Sequence, residues 1–220
     1  MIYNVAEIFA SINGEGPRAG EPAVFVRLMG CNMRCSYCDT AWALTGAPQM
    51  KLSESEIVEK ILSFGLRNVT LTGGEPLLAK DIDVLIRRIC KEPALRLEIE
   101  TNGSIPVWPY FDLESSPVMT LDYKLPGSGC EKLMCAQNFE RVRPCDSVKF
   151  VCSDSSDLAR SLEIIRRYSL EDRCHVFLSP VWGMIDPKEM VAFLLENRLK
   201  GVRLALQLHK FIWDPNERGV

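Results

Sequence analysis

Ala23-Val-Phe-Val-Arg-Leu-Met29 leads through Gly30 into Cys31-Asn-Met-Arg-Cys35-Ser-Tyr-Cys38, so a β-type run delivers three closely spaced cysteines at its C-terminal end. Three thiolates this close can wrap one small inorganic core, as in other cysteine-ligated iron–sulfur centres. A cube of four irons then keeps one iron without a protein ligand, and an open position separates a catalytic centre from a structural one. The alternative is a zinc site, in a non-catalytic interaction protein. Zinc in a structural site takes four ligands. The only histidines, His175 and His209, are distant in sequence, so Asp39 or a remote cysteine would have to complete the set.

Outward from this segment the chain repeats one theme. Further β-type runs occur at Asn68–Thr72, Leu95–Thr101, Val118–Lys124, Ser147–Cys152, His175–Pro180 and Val202–His209. Helical patterns fill Ser53–Phe64, Lys80–Lys91, Ser155–Arg167 and Pro187–Asn197. The first opens on a capping box, Ser53-Glu-Ser-Glu56, whose side chains satisfy free amides of the first turn. Strand–helix alternation predicts a parallel sheet with helices outside. Gly103–Pro117 carries prolines and no helical period, so one covering helix is expected to be missing.

Strand side chains alternate between faces, and parity divides each run. One face carries Val24, Val26, Leu28, Val69, Leu71, Leu97, Ile99 and Leu121; the other carries Arg27, Thr70, Thr72, Glu98, Glu100, Thr120, Asp122, Lys124, Lys149, Ser179, Gln207 and His209. A strand covered by apolar layers on both faces reads as a near-continuous apolar run. The repeated polar face means either an open sheet with a solvated side or a partial (β/α) barrel whose lumen holds a polar ligand. The barrel reading puts the chemistry at C-terminal strand ends.

Length and charge narrow the class. At 220 residues and 47% apolar content the chain is expected to fold as one domain, residues 1–220. A net charge of −3 gives no global attraction to nucleic acid or an anionic membrane. No apolar run is long enough to span a bilayer, and Met1-Ile-Tyr-Asn-Val-Ala-Glu7 lacks the basic start of a secretory signal, so a cytoplasmic location is expected. Nine cysteines in a reducing compartment argue for metal ligands and buried thiols over disulfides. Cys90 and Cys152 sit in apolar patterns as core thiols, whereas Cys130, Cys135 and Cys145 lie near a loop where a second cluster is conceivable.

Cys-x3-Cys-x2-Cys with Tyr37 before the last cysteine resembles the signature of the radical SAM enzymes, which use S-adenosylmethionine (SAM). Thr72-Gly-Gly-Glu-Pro76 resembles the segment of that superfamily that meets the SAM amino group; glycines allow close backbone approach, and Glu75 is expected to help position it. The resemblance implies a partial (β/α) barrel of the radical SAM type, an α/β fold with few helices. It also implies a 4Fe-4S cluster on Cys31, Cys35 and Cys38, with SAM chelating the open iron. The cofactor carries the radical step, and the protein aims it and excludes water.

Within that superfamily, Ile12-Asn13-Gly14-Glu15-Gly16, Arg27, Cys38-Asp39-Thr40, Glu100-Thr-Asn-Gly103 and Gln207-Leu-His-Lys210 together resemble the 7-carboxy-7-deazaguanine synthases over nearly the whole chain. Taken alone, the Asn-Gly pair could equally mark a hairpin turn. The resemblance implies a ring-contracting lyase of queuosine and 7-deazapurine biosynthesis, acting on 6-carboxy-5,6,7,8-tetrahydropterin with loss of ammonia and regenerating SAM. It implies substrate contacts at Ile12, Asn13, Gly14, Arg27 and Thr72, and SAM contacts at Tyr37, Cys38, Asp39, Gly74, Asp122, Tyr123, Lys124 and Ser179. It adds Mg²⁺ at Thr40, a flavodoxin or ferredoxin as electron donor, and a homodimer. Arg27 suits a bidentate carboxylate clamp and His209, at the expected last strand end, suits acid–base work. Both are candidate catalytic residues. Plainer readings remain for single residues: Arg27 snorkelling to solvent, Lys124 paired with Asp122 or Glu100, and His209 as a structural imidazole. Asn13 departs from the glutamine common in that family. Some relatives fold their terminal carboxylate into the site, and the sequence leaves the place of Val220 open. A glycyl-radical activating enzyme shares the cysteine motif and is the nearest enzymatic alternative.

Overall fold

The computed structural model describes residues 1–46, 50–215 and 217–220. Among the described residues nine strands form one sheet: β1 (Ile2–Ile12), β2 (Pro22–Leu28), β3 (Met50–Ser53), β4 (Asn68–Gly73), β5 (Arg96–Thr101), β6 (Val118–Tyr123), β7 (Ser147–Cys152), β8 (His175–Pro180) and β9 (Val202–Leu204). Their order is β3-β1-β2-β4-β5-β6-β7-β8-β9. From β2 to β9 every neighbour is parallel, and β1 and β3 add an antiparallel flap at one edge. The sheet is open, since β3 and β9 are its two edges.

The helices are α1 (Glu54–Ser63), α2 (Ile82–Cys90), α3 (Ala136–Glu140), α4 (Ser155–Tyr168), α5 (Pro187–Glu196) and α6 (His209–Ile212). Ser53 caps α1 through the full capping box with Glu56, and Asp154 and Asp186 cap α4 and α5. Each long helix buries one stripe against the sheet. In α2 that stripe is Ile82, Leu85, Ile86 and Ile89, at helical spacing. Burial of each favours docking by about 1.5–3 kcal/mol before ordering costs. The facing strand residues Val24, Val26, Val69, Leu71, Ile99 and Leu121 are almost fully buried and complete this core. No helix among the described residues is long and apolar enough to cross a membrane.

The α/β reading and the reduced helix set match the sheet, and between β5 and β6 only one 3-10 turn, Trp108–Tyr110, replaces a helix. Three expectations are corrected. The sequence runs begin at Ala23–Met29, yet that run is the second strand, because β1 precedes it. The final strand stops at Leu204, so His209 is not at a strand end but begins α6. The Asn13-Gly14 pair is not a two-residue turn: Asn13 and Glu21 close a longer β1–β2 loop through Asn13 N–H to Glu21 O at 2.9 Å.

Candidate active site

The cysteine loop is fixed by backbone contacts on three sides. Gly30 N–H donates to Ala43 O, Glu75 N–H to Gly30 O, and Ser36 N–H to Ser128 O. Ser36 Oγ also donates to Gly127 O at 2.7 Å, and the buried Met33 lines the cavity beside the cysteines. Cys31, Cys35 and Cys38 thereby line one cavity of about 490 Å³, a size suited to a small-molecule ligand. Burial pushes the Cys35 thiol up to about 12 and raises Cys38 as well. Metal loading therefore has to displace protons.

Among the described residues no three His, Cys, Asp or Glu side chains converge on a point fit for one ion. The three thiols open onto the same cavity, the arrangement in which cysteines can hold a polynuclear core. Cys130 is buried beside Cys35, and Cys145 is exposed beside Asp146.

Next to the thiols, Gly73 and Gly74 pass so close to the β2 end that neither tolerates a Cβ. Gly73 sits at φ +154, and Gly74 packs on Gly30 and Cys31. Glu75 does not enter the cavity. It is 1% exposed, and its carboxylate accepts from Thr101 Oγ1, from Leu77 N–H at 3.0 Å and from Asn102 N–H at 2.6 Å. The positioning help expected of Glu75 is therefore indirect: it ties the glycine segment to the end of β5. Through that tie Asn102 reaches the cysteine loop, its Nδ2 lying 3.6 Å from Cys31 Sγ. Sequence reasoning had not singled out Asn102.

The polar sheet face supplies the rest of the wall. Arg27, Thr72, Asp122, Lys124 and His209 line the cavity, as do Ile12, Gly14, Tyr37, Asp39, Thr40 and Gly74. Lys124 Nζ donates to Asp122 Oδ2 at 2.7 Å, the plainer of its two readings. Tyr37 donates to Val151 O. Thr40 Oγ1 donates to Asp39 Oδ1 at 2.9 Å, and Lys210 reaches Asp39 Oδ2 at 3.2 Å. Burial alone would raise the Asp39 carboxyl, but Lys210 and Thr40 outweigh it and hold it below the usual range.

Three expected contacts lie off the cavity surface. Ser179 is fully buried and donates to Glu15 Oε1. Asn13 is buried, accepting from Thr70 Oγ1. Tyr123 points to the helix side, where it meets Phe139 and donates to Glu131, and its main chain pairs with Phe150 of β7. In front of Ser179, on the cavity wall itself, sits a part-buried ionic group that parity alone could not assemble. Lys149 Nζ donates to Glu15 Oε2 at 2.9 Å, and Gln207 approaches the same oxygen at 3.4 Å. Burial raises the Glu100 carboxyl on this wall, with Lys149 pulling the other way.

The C-terminal segment closes one side. Arg218 stacks over the Trp42 ring at 4.3 Å, and Gly219 and Val220 reach the cavity.

This geometry has counterparts. The sequence model of the Radical SAM superfamily matches residues 26–113, from β2 past the glycine segment. The 7-carboxy-7-deazaguanine synthase of Clostridium acetobutylicum is 44% identical over 221 residues, covering 100% of both chains. That of Chlorobaculum tepidum is 36% identical, covering 99% of this chain and 97% of its own. In fold, the chain is similar to QueE from Escherichia coli at a TM-score of 0.72 and 23% identity, with 94% of each chain covered. It is also similar to SuiB of Streptococcus suis at 0.56 and 16%, covering 81% of this chain and 46% of the other. The full-length identity leaves one assignment: the chain belongs to the 7-carboxy-7-deazaguanine synthase family of radical SAM enzymes.

Proposed function

We propose that the protein, acting as a single domain, is a lyase that converts 6-carboxy-5,6,7,8-tetrahydropterin to 7-carboxy-7-deazaguanine with loss of ammonia, for queuosine or another 7-deazapurine. The observation that carries this reading is one cavity lined at once by three thiols, a side-chain-free glycine segment and the guanidinium of Arg27. Cys31, Cys35 and Cys38 would hold a 4Fe-4S cluster, leaving one iron for SAM. When bound, these groups supply the electron and the 5′-deoxyadenosyl radical for hydrogen abstraction.

The chain's own residues bind, orient and shield. Gly74 offers bare backbone to the SAM amino group, while Tyr37, Asp39, Asp122 and Lys124 present polar atoms to the rest of it. Ser179 and the Tyr123 main chain support that wall from behind. Arg27 clamps the substrate carboxylate, since a planar guanidinium matches it with two parallel hydrogen bonds. Ile12, Gly14 and Thr72 shape the pterin slot, and Asn13 holds the loop through Thr70. His209 stands by as an acid–base group. Thr40, with the ionised Asp39 beside it, offers the hard oxygens that Mg²⁺ prefers. A flavodoxin or ferredoxin would deliver electrons to a cytoplasmic homodimer.

Reduced, cluster-reconstituted protein incubated with SAM and the carboxytetrahydropterin should yield 7-carboxy-7-deazaguanine and ammonia. A protein that cleaves SAM yet leaves the pterin unchanged would overturn the substrate and favour an activating enzyme. Purified anaerobically, the protein should be brown and carry iron and sulfide; a colourless, zinc-bearing product would sink the cluster assignment.

A further inference from the structure

Strand β1 carries a feature that its sequence alternation hides. In register with β2, Val5 faces Leu28 and Glu7 faces Arg27, so Ala6 is an extra residue with no partner of its own. Without it, Val5 and Glu7 would share a face, two residues apart on one strand. The bulge separates them: Val5 is fully buried in the helix-side core with Leu28, whereas Glu7 turns to the cavity beside Arg27. Bulges next to active sites commonly re-aim a side chain in this way.

The re-aimed carboxylate has a partner. Arg27 Nε donates to Glu7 Oε1 at 2.8 Å, and both side chains keep only 19% of their exposure. Engaging Nε leaves the opposite edge of the guanidinium, its two terminal nitrogens, for a ligand. A free arginine samples many rotamers, and fixing it beforehand removes that entropy from ligand binding.

We infer that Glu7 is a positioning residue for Arg27: the β1 bulge aims its carboxylate at Nε so that the terminal nitrogens face a ligand carboxylate. This rests on the reading of Arg27 as the substrate's carboxylate partner, and the test separates the two. The loaded enzyme with SAM, kept unreduced, is titrated with the carboxytetrahydropterin and with the same pterin lacking its carboxylate. The ratio of the two dissociation constants reports carboxylate recognition alone.

Glu7→Ala should shrink that ratio roughly tenfold, the scale of a charge-assisted hydrogen bond, with little change for the carboxylate-free pterin. Glu7→Gln keeps an oxygen at the Oε1 position and should restore the ratio to within about threefold of the parent, as expected where orientation is the role. If Glu7→Ala does not fold by far-ultraviolet circular dichroism, Glu7→Leu fills the volume without an acceptor and carries the same expectation. A ratio lost in Arg27→Ala but intact in Glu7→Ala or Glu7→Leu would overturn the role of Glu7 and leave that of Arg27 standing. A ratio intact in Arg27→Ala would overturn the carboxylate reading of Arg27, and the positioning role with it.

Discussion

Gly74 lies against Cys31 so closely that a Cβ on Gly74 would stand 2.7 Å from the cysteine's own Cβ, with the Gly30 carbonyl closer still. Two loops far apart in sequence are therefore held at a spacing that only glycine permits. The neighbour is backbone and cannot swing aside, so Gly74→Ala must push the cysteine loop outward.

Overpacking of this kind costs about 1–3 kcal/mol. We expect Gly74→Ala to lower the urea midpoint of the protein accordingly. Iron and sulfide per chain, measured after identical anaerobic reconstitution, should fall with it. Full iron content in a stably folded Gly74→Ala protein would mean that the loops are not rigidly coupled.

Glu75 is expected to matter for stability ahead of chemistry. Glu75→Ala would strand Thr101 Oγ1 and the amides of Leu77 and Asn102 in a buried place. Each orphaned buried donor costs about 1–3 kcal/mol, so a loss on the order of 3 kcal/mol should appear in equilibrium unfolding. Glu75→Gln keeps one acceptor oxygen but turns an NH₂ toward donors, and should lose about half as much. A neutral Glu75→Ala would show that the tie between β4 and β5 carries no weight.

The polar wall was legible because period-two alternation is simple: Arg27, Thr72, Glu100, Asp122, Lys124 and Lys149 share one face by parity alone, and the cavity collects all six. The same rule fails in Ile2–Ile12, where the bulge at Ala6 breaks the period and conceals both the strand and Glu7. The α6 turn at His209 was also illegible, since four residues are too few to carry a helical period. That Glu75 acts from behind the cavity was illegible, because a motif shows which residue is present but not which way its side chain turns. Ser179 and Asn13 illustrate the converse: the resemblance points to them as contacts, yet both sit behind the cavity surface, bonded to Glu15 and Thr70.

The Glu15–Lys149 pair should show strong coupling in a double-mutant cycle. Burial alone would pull the Lys149 ammonium down, but Glu15, then Asp122 and Glu100, outweigh it and keep the residue charged. Lys149→Met strips the largely buried Glu15 carboxyl of its charge partner, which costs about 3–5 kcal/mol. The double variant Lys149→Met with Glu15→Met removes both charges and should recover much of that loss, giving an interaction energy well beyond that of a surface pair. Additive effects of the two single changes would refute a coupled buried pair.

His209 supplies a pH test. Burial depresses its imidazole below 6.5, opposed by Glu15 and aided by Lys210. The folded protein therefore takes up this proton later than the unfolded chain does as pH falls. Above 6.5 both states are neutral at this site and it adds no pH dependence; below 6.5 the unfolded chain binds the proton first, and stability is lost until the folded-state value is passed. In His209→Gln that component is gone, so its urea midpoint should fall less than the parent's between pH 7.5 and pH 5.5, in the window just below 6.5. Gly14 packs against the same imidazole, a Cβ there coming within 2.8 Å of Nδ1, so Gly14→Ala should displace the ring toward solvent and flatten the profile in the same direction. Parallel profiles for the parent and His209→Gln would show that the imidazole titrates as freely in the fold as in the unfolded chain.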